Sequence, residues 1–184
     1  MSIRIPGWYK SGSVPGDLYV HGGNAFSATP GIAINGKPVL VTDNDGYLSV
    51  NREWRQGDIV EFEFAMNTYT VTAKDSLKQN NNRIAIQRGP IVYCVEGADN
   101  NNKAWNIVLP ADTKFETIDY KILDEPVKAL TAEVPVVLVA EDGLSIRTEK
   151  RKIIAIPYYT WANRGKNEMQ VWLPTTIKDV KINY

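Results

Sequence analysis

Asp58-Ile59-Val60-Glu61-Phe62-Glu63-Phe64 decides how the chain is read. Val60, Phe62 and Phe64 fall on one side and Glu61 and Glu63 on the other, the period of two that marks a half-buried strand. Gln56-Gly57-Asp58 is the turn before it. The pattern recurs in both directions. Toward the N-terminus, Ser2-Ile3-Arg4-Ile5 alternates until Pro6-Gly7 stops it. Gly31-Ile32-Ala33-Ile34 runs into Asn35-Gly36, a dipeptide that tolerates the positive φ a two-residue hairpin turn requires, and residues 38–41 form the returning strand. Residues 46–50 follow the turn cluster Asp43-Asn44-Asp45-Gly46.

Toward the C-terminus, Tyr69, Val71 and Ala73 alternate with threonines. After a polar run, 74–82, two strands follow, Arg83-Ile84-Ala85-Ile86-Gln87 and Pro90-Ile91-Val92-Tyr93-Cys94-Val95, joined by Arg88-Gly89. Further strands are expected at 105–109, 114–118, 127–131, 134–140, 144–147, 152–158, 169–173 and 180–184. Residues 119–129 hold Tyr120, Ile122, Leu123 and Val127, but Pro126 limits them to a short helical turn. Many short strands parted by turn signals predict an all-β fold, a β-sandwich or jelly roll, in two packed antiparallel modules. The polar gap 97–103, with Asp99-Asn100-Asn101-Asn102, places the boundary between module I (1–98) and module II (99–184). The last strand either belongs to module II or returns to module I.

The chain has 184 residues, of which 21 are Lys or Arg and 21 are Asp or Glu. Zero net charge gives no electrostatic reason to expect nucleic acid or an anionic membrane as partner. No apolar run approaches the ~20 residues needed to span a bilayer. No signal-peptide stretch follows Met1, and the compartment stays open. Cys94 is the single cysteine, so no internal disulfide is available. Five Trp and nine Tyr against four Phe suit sugar-stacking surfaces, although β-proteins favour the same residues for packing.

Candidate chemistry is sparse. His21 is a lone histidine before Gly22-Gly23, read as a loop residue, and no second His or Cys stands at metal-ligand spacing. Cys94 lies in an apolar run and reads as a small core residue. Phosphate-binding glycine loops and the GxSxG elbow are absent. Glu61 and Glu63 share a strand face at ~7 Å, whereas retaining glycosidases hold their carboxyl groups ~5–5.5 Å apart in a cleft. Glu53 and Asp99 read no better as catalytic acids. The densest stretch is Ala155-Ile156-Pro157-Tyr158-Tyr159-Thr160-Trp161-Ala162-Asn163-Arg164-Gly165. Asn163 and the Arg164 fork can bind vicinal hydroxyls while Tyr159 or Trp161 stacks on a ring, or the same groups can dock the chain on a neighbouring domain.

Four segments carry a resemblance. They are Ile3-Arg4-Ile5-Pro6-Gly7-Trp8; Gly46-Tyr47-Leu48 with Arg52-Glu53-Trp54 and Gly57-Asp58-Ile59-Val60; Asn82 through Cys94; and Ile154 through Gly165 with Glu168-Met169-Gln170-Val171-Trp172-Leu173-Pro174. In this order they resemble the C-terminal β-sandwich region of glycoside hydrolase family 127, the β-L-arabinofuranosidase-like family once called a domain of unknown function. The resemblance implies an N-terminal (α/α)6 barrel followed by two β-sandwich domains. It also implies a zinc-bound cysteine nucleophile and a glutamate acid/base, both in the barrel. This sequence holds no barrel, and Cys94 does not match the family's catalytic cysteines. The chain starts where the sandwiches start, as a piece of a longer protein or a stand-alone module.

The expected function is therefore a non-catalytic accessory region that supports the barrel and takes part in dimerisation. The alternative is a stand-alone carbohydrate-binding module for arabinose-containing glycans, with exposed coplanar rings from Trp8, Trp105, Trp161 and Tyr159. Residues set aside for sugar binding or domain docking are Tyr158, Tyr159, Trp161, Asn163, Arg164 and Trp8. No catalytic or metal-binding residue and no cofactor is expected in this stretch. The expected partners are the catalytic barrel, a second copy of the chain and a plant-type glycan.

Overall fold

The computed structural model describes residues 1–12, 14, 16–23, 25–26 and 30–180. Among these, the strands are β1 (Ser2–Arg4), β2 (Tyr19–His21), β3 (Gly31–Ile34), β4 (Lys37–Pro38), β5 (Thr42–Asn44), β6 (Tyr47–Ser49), β7 (Val60–Glu63) and β8 (Thr68–Ala73). They continue as β9 (Arg83–Arg88), β10 (Ile91–Glu96), β11 (Glu116–Ile122), β12 (Glu125–Val139), β13 (Ile146–Pro157), β14 (Met169–Gln170) and β15 (Leu173–Pro174). The one α-helix among the described residues is a single turn, α1 (Gly7–Lys10), begun by Pro6. The all-β reading holds, and every pairing is antiparallel.

The first third builds two three-stranded sheets, β1-β6-β5 and β4-β3-β7. Asn35 and Gly36 take φ of 51° and 73°, as the hairpin between β3 and β4 demands. Ile5, Tyr9, Ile32 and Leu48 bury between the sheets, with Trp8, Val60 and Phe64 packed on them. Phe62 shares its strand face with these residues but sits on an edge strand and is 51% exposed.

The rest forms one nine-stranded sheet in the order β11-β12-β13-β10-β9-β8-β2, with β14 on β10 and β15 on β9. It takes strands from both sides of the 97–103 polar gap, and β2 joins it from the N-terminal third by pairing with β8. Its two faces carry separate cores. Ile84, Ile86, Tyr93, Val95, Leu130 and Ile153 belong to the larger one. Cys94, Ile122, Val127, Ala129 and Ile156 lie on the other.

Several expected elements take a different form. The helical turn expected within 119–129 is instead a tight hairpin between β11 and β12, turned by Leu123 and Asp124 at φ 48° and 68°. The strands expected at 127–131 and 134–140 are one strand, β12, and those at 144–147 and 152–158 lie along β13. Residues 105–109 form no strand and contribute a single bridge, Ile107 to Val136. Of the strand expected at 180–184, residues 181–184 lie outside the described residues. His21 sits on β2 rather than in a loop, against the rings of Phe26 and Tyr69.

Candidate functional site

β13 ends at Pro157 and the chain turns at once through Tyr158–Thr160 in a 3-10 turn. Thr160 stays buried, its hydroxyl donating to the Pro157 carbonyl at 2.6 Å. Tyr158, Tyr159 and Trp161 are pushed outward and are 43%, 67% and 40% exposed. The Tyr158 and Trp161 rings lie nearly parallel, with centroids 5.8 Å apart and planes 12° apart. The corner presents three aromatic rings outward, and the parallel pair is Tyr158–Trp161 rather than one with Tyr159.

Of the two polar members of the dense stretch, Arg164 turns inward and Asn163 stays exposed. Arg164 grips Asp99 with both ends of its fork and also donates to Glu96. Glu96 and Asp99 side chains are 0% and 1% exposed. Tyr120 donates its hydroxyl to Asp99 at 2.7 Å, and Asn167 Nδ2 donates to Glu96 at 3.1 Å. The paired carboxylates hold the Arg164 guanidinium above its ordinary range. Asn163 Nδ2 donates to the Thr160 carbonyl at 3.1 Å and closes the turn. The cluster fastens the aromatic loop to the end of β10. Glu96 follows the apolar run 91–95 directly, and a charge ending such a run is the one sequence signal that pointed to it.

Trp8 is half-buried, edge-on to Tyr9 and Phe64 at 5.6 Å and 5.8 Å. Trp105 is also half-buried, its Nε1–H donating to the Met169 carbonyl at 3.1 Å. Neither joins the Tyr158–Trp161 corner among the contacts described. Glu168 binds the same segment, accepting from the Ala104 and Trp105 N–H groups at 2.8 Å and 3.1 Å. Burial would raise its pKa, but these two N–H groups and Lys103 outweigh burial and depress it below the usual glutamate value. A depressed folded pKa stabilises the fold above the unfolded value, and that contribution disappears as pH falls through the folded pKa. Urea midpoints of wild type and Glu168→Gln should therefore differ at pH 7 and converge as pH falls through and below the ordinary glutamate range. A gap that stays constant with pH would mean the carboxylate charge contributes nothing.

Beside the platform, β9 to β13 end around a pocket of about 270 Å³ lined by Tyr159, Arg88, Tyr93, Lys128 and Asp119. Tyr93 is fully buried, and its hydroxyl donates to the Lys128 carbonyl at 2.7 Å. Burial pushes its phenol pKa up, and nearby Arg88 opposes the shift.

Cys94 is a poor ligand or nucleophile. It has no exposed surface, and burial, with help from the Glu96 and Asp99 charges, pushes its thiol up to about 12. A thiol so placed does not become the thiolate that zinc or nucleophilic chemistry needs. Among the described residues no three His, Cys, Asp or Glu side chains converge as a metal cage. The described residues do not fit a zinc centre.

Two family models match the chain. The glycoside hydrolase family 127 C-terminal domain matches residues 68–174, and the β-L-arabinofuranosidase GH127 middle domain matches residues 1–66. A curated relative, the non-reducing end β-L-arabinofuranosidase of Bifidobacterium longum subsp. longum, is 30% identical over 92% of this chain and 25% of its own length. A solved GH127 β-arabinofuranosidase structure superposes with a TM-score of 0.86 at 36% identity, over 98% of this chain and 28% of that one. The GH127 β-L-arabinofuranosidase of Geobacillus stearothermophilus T6 gives 0.71 at 33% identity, over 94% and 26%. The chain thus spans about a quarter of the length of each of these relatives.

Proposed function

The chain belongs to glycoside hydrolase family 127, and from that membership we propose that it is the accessory β-sheet region of a β-L-arabinofuranosidase, carrying and steadying a catalytic barrel without supplying reacting groups. The observation that carries this reading is the match of the middle and C-terminal domain models along nearly the whole chain, against only a quarter of the relatives' length. The interior agrees with it. The one thiol is a core residue, and the best-organised acid pair, Glu96 and Asp99, is engaged with Arg164. In the 1–66 part, Leu40, Ile59 and Phe62 stand in solvent. Covering such a side chain with a second domain contributes ~1.5–3 kcal/mol. A second copy of the chain is the other candidate to cover them.

Substitution into a relative tests the proposal. A chimera in which this chain replaces the matching quarter of the Bifidobacterium enzyme should fold and hydrolyse an aryl β-L-arabinofuranoside. The chain alone should release no aryl alcohol above background. Turnover by the isolated chain, abolished by a point substitution within it, would overturn the proposal.

A second reading is favoured by the parallel, exposed Tyr158–Trp161 pair with Tyr159 beside it, a surface suited to the apolar face of a sugar ring. On this reading the corner binds glycan independently of the barrel.

A further inference from the structure

Arg88 ends β9 half-buried and lines the Tyr159 pocket. Among the described residues no carboxylate lies within ion-pair distance of it. The other cation in the lining, Lys128, is matched across the strand pair by Asp119 at 2.5 Å. The lining therefore carries one unmatched positive charge, and it is a planar fork of donors rather than a point charge. The wall beside it is the most exposed ring of the corner, Tyr159. Tyr93, also in the lining, is held by its bond to the Lys128 carbonyl and accepts a hydrogen bond from Arg88, which steadies the guanidinium in the pocket.

An arginine with no carboxylate partner and an exposed aromatic ring in one lining select a ligand with a carboxylate at one end and a ring with an apolar face at the other. We propose that this pocket binds a uronate residue of an acidic glycan, its carboxylate on Arg88 and its ring against Tyr159. The inference rests on the glycan-binding reading of the same corner and adds the chemical class of the sugar. Neutral sugars would meet only the aromatic part of the site. Binding should weaken with salt, because the pocket is open to solvent on one side.

Calorimetric titration of the whole chain with trigalacturonic acid, with arabinotriose and with sodium sulfate tests it. Trigalacturonic acid should bind and arabinotriose should bind at least ~10-fold more weakly, in keeping with the strength of bidentate charge-assisted pairs. Arg88→Gln should cost the acidic ligand ~10-fold or more, and Arg88→Lys should recover only part of it. Asp119→Asn removes the negative charge in the lining and should tighten the acidic ligand by ~3-fold, a gain that misfolding cannot produce. Equal affinity for both sugars, unchanged in Arg88→Gln but lost in Trp161→Ala, overturns the uronate inference and leaves glycan binding standing. No binding of either sugar overturns both. Sulfate binding as tight as the uronate oligomer would make this a simple anion site and sink the proposal.

Discussion

Arg164→Ala is expected to lower the unfolding free energy by about 3–5 kcal/mol, the range for removing one partner of a buried ion pair. Two carboxylates depend on this guanidinium, and both are closed to water. Without it, Glu96 keeps only weak polar partners at 3.1 Å and 3.4 Å, and Asp99 keeps the Tyr120 hydroxyl. Surface ion pairs give a median of ~0–1 kcal/mol, so burial decides the size of the effect. Arg164→Lys should rescue little, because an ammonium cannot span both Asp99 oxygens and Glu96 together. Replacing Arg164, Glu96 and Asp99 together by uncharged residues of similar volume should recover most of the loss, since no stranded charge then remains. Urea unfolding followed by circular dichroism measures all three variants. The losses should change little between low and high salt, because the pair is screened by protein rather than ions. A loss under ~1 kcal/mol for Arg164→Ala, or one that vanishes in salt, would place the cluster at the surface.

The same cluster shows where reading the sequence ran out. Arg164 was legible as a special residue, but its partners lie 65 and 68 positions away. Nothing local shows that Asp99 turns back beneath it, so its fork reads equally well as a sugar contact. The strands were easier, because side-chain alternation is a local signal. β1, β3, β8, β9 and β10 fall where alternation and turn residues put them. The long hairpin β12–β13 was harder, since Pro126 looks like a break and the strand also runs across Pro135. Each proline sits where β12 has a full ladder on one flank only. Pro126 pairs with β11, before the β13 ladder begins at Leu130. Pro135 pairs with β13, beyond the β11 ladder that ends at Thr131. On its other flank Pro135 only accepts, from the Val108 N–H, and so needs no donor there. The polar run 97–103 reads as a linker for a similar reason. Its asparagines are polar, but Asn100 uses its amide on the backbone of Glu96 and Ile154, stitching β10 to β13.

Gly89→Val is expected to cost about 3 kcal/mol and to loosen the first third of the chain from the large sheet. Gly89 turns β9 into β10 at φ +55°, a conformation that is strained for any L side chain and worse for a β-branched one. Space is as restrictive as the dihedral. A Cβ at this position would meet Met66 Sδ at 2.6 Å, Met66 Cε at 2.8 Å and the Trp8 ring at 3.3 Å. The Gly89 N–H donates to the Asn67 carbonyl at 2.9 Å, and its own carbonyl accepts the Tyr69 hydroxyl at 2.8 Å. Residue 67 is also where the middle-domain and C-terminal-domain matches meet. The β9–β10 turn therefore presses its bare backbone into the seam, and Trp8 serves as packing there. Gly89→Ala should cost about 1–2 kcal/mol, because the thioether end of Met66 can swing aside while the backbone strain remains. Valine adds a branch that the Trp8 ring, held by Tyr9 and Phe64, cannot clear. Calorimetry of the wild type should give one cooperative transition, and Gly89→Val should split it, with the lower part belonging to residues 1–66. Limited proteolysis of that variant should cut near Asn67 well before the wild type is cut. A single unsplit transition in Gly89→Val, with the melting temperature unchanged, would mean that this turn does not hold the two matched regions together. The rigidity that the proposed supporting role needs would then come from contacts other than this turn.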